Sequence, residues 1–295
     1  MTQSDFPVIP KVTLGRTGIV TTRLGLGTAA WPRQIPYAQV VEMLETCLAV
    51  GIRYIDMAPL YMSEDIVGRA LQEIALPPDL VLVTKAGSYS RPDPDFGALR
   101  QNYGADTIYH SVERSLKRIG VDSLHIVHIH DVSEKHLPQV FAPDGALAAL
   151  QDLKSQGVVQ AIGMGTLSLN VLQAAVDSDA FDVLQIFHTY TLLNTTAKDK
   201  LFPSALAKDL SILNSAPFSG YILATGATPT AQYNYAPASA DVIEATRRLE
   251  TVCARKGVDL PTAALAFSYQ TPEVDVTVVA SGKPERLPGL SLIHI

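Results

Sequence analysis

Eight short apolar runs separated by helical stretches limit this chain more than any other feature. They lie at residues 24–28, 52–56, 80–85, 123–130, 158–163, 181–187, 210–214 and 274–280. Continuous apolar runs of this length, bounded by turn residues, predict strands buried on both faces. Between them, residues 37–50, 64–74, 106–119, 144–156, 168–177, 197–208 and 238–256 predict helices, with Asp106 as the cap of its helix and Gly120 past its end. Strands alternating with helices mean βαβ units and a parallel sheet. Eight units in a chain of 295 residues predict a closed (β/α)8 TIM barrel rather than an open doubly wound sheet. The first strand-to-helix junction, residues 25–31, also lacks the glycine fingerprint of an open dinucleotide-binding sheet. Residues 11–22, with Gly-Arg-Thr-Gly in the middle, predict an N-terminal β-hairpin before the barrel.

Three successive strand ends carry titratable groups. The second run ends in Asp56 and is followed by Tyr61, the third ends in Lys85, and the fourth ends in His130-Asp131. In a barrel, strand C-termini share one face, where chemistry collects. Taken singly, Asp56 with Lys85 reads as a structural ion pair and Tyr61 as a core aromatic. Together they form a proton-handling set. An ammonium beside a phenol favours the phenolate and lowers its pKa, a carboxylate holds the ammonium, and an imidazole orients a carbonyl or alkoxide oxygen. The set suits carbonyl/alcohol interconversion, supplies no nucleophile and no metal cage, and so requires hydride from a cofactor. His128 shares a strand face with His130. It reads as a satisfied core histidine, because His130 stands at the strand's end.

Composition excludes other classes. The net charge of −6 is spread without long runs, which argues against nucleic-acid binding. No stretch of about 18 apolar residues is present, so no membrane span is expected. Cys47 and Cys253 lie far apart without metal or redox spacing and read as reduced thiols. No signal peptide is visible, and a cytoplasmic location is expected.

The pattern Asp56-x-x-x-x-Tyr61, Lys85 and His130-Asp131 resembles the catalytic set of the aldo-keto reductase superfamily. The resemblance covers nearly the whole chain, from Leu14-Gly15-Arg16-Thr17-Gly18 through Ala161-Ile162-Gly163 to Ala216-Pro217-Phe218-Ser219-Gly220. It implies an NAD(P)-dependent oxidoreductase with Tyr61 as general acid/base, Lys85 as its pKa partner, Asp56 orienting the lysine and His130 holding the substrate oxygen. It further implies cofactor contacts from Thr166, Gln185, Ser219, Gly220, Tyr221 and Leu223, with Ser281 and Arg286 near the adenosine. Gly165-Thr166 replaces the family's Ser-Asn. Ala280 stands where NADP-preferring members carry lysine, so NAD is slightly favoured over NADP.

Residues 109–116, His130-Asp131 and Tyr190-Thr191-Leu192-Leu193 look most like the aldose 1-dehydrogenase and pyridoxal 4-dehydrogenase branch, although Thr189 replaces that branch's arginine. The implied reaction is oxidation of an aldose at C1 to the lactone, with a general aldehyde reductase or pyridoxal dehydrogenase as the alternative. A cofactor-sensing regulatory subunit is the alternative of another class. Trp31, Tyr89 and His188, with Asp93 and Asn102, are candidate substrate-lining residues. The expected partner is a small sugar or aldehyde, and the expected state a monomer or small homo-oligomer. One domain is expected over residues 1–289. Residues 290–295 resemble the translation of a sequencing adapter, so a non-native tail in place of the last helix is expected there.

Overall fold

The computed structural model describes residues 8–29, 31, 35–90, 96 and 100–291. Strands β1 (Lys11–Thr13) and β2 (Val20–Thr22) pair antiparallel around a single helical turn at Gly15–Thr17. Leu14 and Ile19, at the shoulders of this hairpin, are buried with Tyr54, Val83, Ile126, Val183, Leu213 and Val276. Thr21 Oγ1 donates to Arg53 O, and Arg16 N to Asp209 O, both residues lying just before barrel strands. The hairpin therefore plugs the end of the barrel at which the strands begin.

The barrel consists of β3 (Leu24–Gly27), β4 (Tyr54–Asp56), β5 (Val81–Ala86), β6 (Leu124–His130), β7 (Val159–Thr166), β8 (Val183–Phe187) and β9 (Ser211–Ser215), then β12 (Val276–Ala280). Between β9 and the last strand lies a small hairpin, β10 (Gln232–Tyr233) and β11 (Ala236–Pro237). All barrel neighbours pair parallel, and β12 pairs with both β9 and β3, closing an eight-stranded barrel. This is the (β/α)8 architecture that the eight runs predict. One apolar core fills the space between strands and helices, and a second fills the barrel.

Several boundaries differ from expectation for physical reasons. The helix Ala105–Ile119 is capped by Gly104, and Asp106 sits instead in its first turn, where a carboxylate still meets the helix dipole. Gly120 ends that helix in the left-handed region, as predicted. Residues 197–208 form two short helices, Thr196–Lys200 and Phe202–Leu206, because Pro203 opens a new helix rather than continuing the old one. A helix at Leu260–Tyr269 was not anticipated. It packs between the barrel and the helix Ala240–Arg255, is apolar nearly all round and so lacks an amphipathic period. Its start signal was present all the same, as Asp259 accepts from Thr262 N at 2.7 Å. A short helix, Leu287–Ser291, ends the described chain, with Leu290 packed on the core; the other tail residues lie outside the described ones. Cys47 and Cys253 are buried free thiols. Among the described residues no helix is long and apolar enough to cross a membrane.

Candidate active site

Side chains alternate along a strand, so one parity of each barrel strand faces the axis. On β4 that parity carries Tyr54 and Asp56, on β5 Val83 and Lys85, and on β6 Ile126, His128 and His130. The lower members of each set are apolar or aromatic and pack in the barrel core. The upper members are polar, and they sit where the strands end. Cα pairing sets Lys85 beside His128, His128 beside Gly163, His130 beside Gly165, and Gly165 beside Gln185. Tyr61 arrives from the single turn Pro59–Tyr61 directly after β4, and Met62, left-handed at φ 57°, turns the chain away again.

The four predicted residues converge. Lys85 Nζ donates to Asp56 Oδ1 at 2.6 Å and to Met57 O at 2.9 Å. The side chains of this pair are 2% and 5% exposed, so it is an ion pair removed from water. Lys85 Nζ lies 5.0 Å from the centroid of the Tyr61 ring. The rings of Tyr61 and His130 meet edge to face, with centroids 5.6 Å apart. Tyr103 Oη donates to His130 O at 2.9 Å and contacts Asp131 O at 3.1 Å, which fixes the strand end that carries the imidazole.

Electrostatics assigns protonation states. Burial lowers the Lys85 pKa, and Asp56 works against that fall. Burial, then the Lys85 charge, holds the His130 pKa well below 6.5, so the imidazole is neutral at physiological pH. Its Nδ1 is buried and has no hydrogen-bond partner among the described residues. Tyr61 departs from expectation. Desolvation first, then Asp56, Tyr235 and Asp131, hold its phenol well above the ordinary value of 10.0. Burial thus outweighs the lowering expected from the ammonium, although Lys85 Nζ lies 5.0 Å from the ring centroid, and the resting phenol is protonated at physiological pH.

His128 also departs from expectation. It is fully buried, yet neither ring nitrogen has a hydrogen-bond partner among the described residues. Its ring packs against β7 at Gly163, where a Cβ would stand 2.1 Å from His128 Nδ1.

The profile of the aldo/keto reductase family matches residues 23–290, nearly the full length of a barrel that presents this acid, amine, phenol and imidazole on one face. The chain belongs to the aldo/keto reductase family. It is 28% identical over 298 residues to D-threo-aldose 1-dehydrogenase of a Pseudomonas species, covering 92% of this chain and 88% of that protein. It is 27% identical to pyridoxal 4-dehydrogenase of Microbacterium luteolum, covering 94% of this chain and 90% of that one. A crystal structure from Pseudomonas aeruginosa assigned to the aldo-keto reductases superposes with a TM-score of 0.72 at 22% identity, covering 96% and 94% of the two chains.

Aldo/keto reductases use a nicotinamide cofactor, and the residues around this site fit one unevenly. Gln185 Nε2 donates to Ser215 Oγ at 2.7 Å, while its Oε1 is buried without a partner among the described residues. That carbonyl suits an amide N–H donor such as a carboxamide. Gly165 faces it without a side chain; a Cβ there would stand 3.4 Å from Gln185 Oε1. Gly220 and Tyr221 have backbone N–H groups that no described acceptor takes, as an anion-binding turn requires. Other predicted contacts are engaged elsewhere. The Thr166 hydroxyl donates to Val132 O, and Ser219 bonds internally through both N–H and hydroxyl. Leu223 N donates to Phe218 O while its side chain is buried in a satellite core, so Leu223 offers no backbone donor. Ser281 bonds within its own turn to Lys283, and Arg286 is exposed on the turn Pro284–Arg286.

The predicted substrate residues divide. Trp31 is fully buried and its Nε1 donates to Ser281 O at 2.7 Å, so it ties the loop after β3 to the end of β12 rather than lining a pocket. Tyr89 is buried against Phe96 and accepts from Gly87 N, and Asn102 supports a turn at Gly104. Asp93 lies outside the described residues. His188 is at the barrel mouth, 4.0 Å from the Phe187 ring centroid, and burial lowers its pKa to about 4. Phe187, Ser215 and Tyr235 join the site without having been predicted. Phe187 and Ser215 follow strand parity from Gln185 and Leu213, and Tyr235 stands in a Tyr-Asn-Tyr turn, the local signal that could have marked it. Met62, Asp131, His188, Ala216, Ser219 and Tyr221 all have positive φ just past strand or turn ends here, where backbone strain commonly accompanies function.

Proposed function

We propose that this chain is an NAD(P)-dependent dehydrogenase that oxidises a free aldose at C1 to the lactone. The observation that carries the reading is the buried Lys85–Asp56 pair at 2.6 Å, with Lys85 Nζ 5.0 Å from the centroid of the Tyr61 ring and that ring edge to face with His130. The nicotinamide, when bound, supplies the hydride acceptor or donor. The chain's own residues handle the proton. Tyr61 is the group that exchanges it with the substrate oxygen. Neutral His130 offers a ring N–H to that oxygen and orients it, and Asp56 and Met57 O hold Lys85 in register beside the phenol ring. Gln185 and the Gly220–Tyr221 turn would hold the cofactor's amide and phosphate groups. Similarity over most of the chain to an aldose 1-dehydrogenase supports the substrate class. Ala280 in place of a lysine supports NAD over NADP, because a phosphate loses one charge-assisted contact there.

A second reading has its own support. The raised Tyr61 pKa favours the protonated phenol, which is the form needed to reduce an aldehyde, and the similarity to pyridoxal 4-dehydrogenase keeps aromatic aldehydes in view. One assay tests both. The purified chain is mixed with NAD or NADP and a panel of free aldoses plus pyridoxal, and with the reduced cofactors and aldehydes, while absorbance of reduced nicotinamide is followed. Lactone formation with one aldose supports the first reading. Turnover of aldehydes alone supports the second, and turnover of nothing overturns both.

A further inference from the structure

The hairpin β10–β11 has a two-residue turn, Asn234-Tyr235, with φ of 52° and 63°. Both central residues of such a turn are left-handed, and glycine is strongly preferred at the second. A tyrosine there costs backbone strain. Core burial does not offset it, since Tyr235 is 57% exposed. The ring is held at the barrel mouth nonetheless. Asn234 N donates to Ser219 O at 3.4 Å, and a Cβ on Gly220 would stand 2.6 Å from Asn234 N and 2.8 Å from Tyr235 N, so the turn seats directly on the side-chain-free Gly220. Tyr235 lies parallel to Phe187 with centroids 6.0 Å apart, and edge-on to His188 at 5.4 Å and to Tyr221 at 6.2 Å. Phe187 shares its strand face with Gln185, so this aromatic group adjoins the catalytic end of β8.

We propose that Tyr235, backed by Phe187, is a substrate-facing aromatic wall that selects carbonyl or hemiacetal compounds bearing a ring with a flat apolar face over small acyclic ones. The inference rests on the oxidoreductase reading above and narrows its substrate class. A cyclic sugar presents a C–H face and an aryl or pyridine aldehyde a π face; either packs on a phenol ring, whereas a three-carbon dicarbonyl has no such face.

The test uses the full chain with saturating reduced nicotinamide and two aldehydes, pyridine-4-carboxaldehyde and methylglyoxal. Tyr235→Ala is expected to raise the ratio of their KM values (ring over acyclic) about five- to tenfold, from the worth of one aromatic contact, with kcat for the ring aldehyde changing less than about twofold. Tyr235→Phe should keep the wild-type ratio, because the ring and not the hydroxyl packs. Tyr235→Gly should show the raised ratio yet melt at a higher temperature, because it relieves the left-handed strain. The proposal is overturned if the ratio is unchanged in Tyr235→Ala, if Tyr235→Phe is as impaired, or if Tyr235→Gly melts lower. It is also overturned if the loss is in cofactor affinity, read from fluorescence of Trp31, the single tryptophan. A wild-type chain inert towards both aldehydes overturns the proposal, and it overturns the oxidoreductase reading as well only if the free aldoses and pyridoxal of the assay above are not turned over either.

Discussion

Asp56→Asn would remove one charge from a pair that the barrel has already withdrawn from water. The two side chains are 5% and 2% exposed and meet at 2.6 Å, so the lysine that remains has no solvent to replace its partner. Breaking a buried pair from one side costs about 3–5 kcal/mol, and the retained amide oxygen puts this variant near the lower end, at about 3 kcal/mol. For a chain of this size that lowers the melting temperature by about 6–12 °C. The loss carries a pH signature. Burial already lowers the Lys85 pKa and Asp56, then Glu64, oppose it; without Asp56 only the lesser Glu64 charge opposes burial and the value falls further. The unfolded chain titrates this lysine near its ordinary value of about 10.4. Between the lowered folded value and that one, the unfolded state binds more protons, so stability rises with pH. The deficit against wild type should therefore be largest at low pH and shrink on going from about pH 6 to about pH 9. Urea unfolding at both pH values measures it. A deficit below about 1 kcal/mol, or one independent of pH, would refute the argument that Lys85 is a desolvated charge held by Asp56. The double variant Asp56→Asn/Lys85→Met should regain most of the stability and none of the activity.

Three further outcomes follow from the same geometry. Tyr61→Phe should lower kcat by about 10²–10⁴-fold with cofactor affinity unchanged by fluorescence titration, because only the proton donor is lost. In pH–rate profiles, aldehyde reduction should hold steady through neutral pH and fall only as Tyr61 loses its proton above pH 10.0, while alcohol oxidation should climb toward that range. No histidine limb should appear near pH 6.5, since His130 is held neutral well below it. Gly163→Ala would put a Cβ 2.1 Å from His128 Nδ1, so it should cost about 1–3 kcal/mol in urea unfolding by overpacking the barrel.

The sequence by itself determined the barrel and the convergence of the four residues. Period and run length are local properties, and eight parallel strands closing on themselves leave one end for every polar C-terminus. Asp56, Lys85 and His130 were therefore legible as a group before any coordinate. Tyr61 was legible too, because its turn follows β4 within five residues. The helix Leu260–Tyr269 was less so, since a helix buried on most sides carries no periodic signal.

Tertiary structure decided the electrostatics and the rim. A pKa depends on desolvation and distance in three dimensions, which is why burial, invisible in the sequence, holds the Tyr61 phenol above its ordinary value. Which donors are engaged elsewhere is also non-local. Thr166 meets Val132 across two strands, and Trp31 meets Ser281 across 250 residues, so neither was recognisable as a structural contact from its neighbours. Tyr235 reaches the site only because the turn that carries it rests on Gly220, a contact of backbone on backbone that no side-chain pattern encodes.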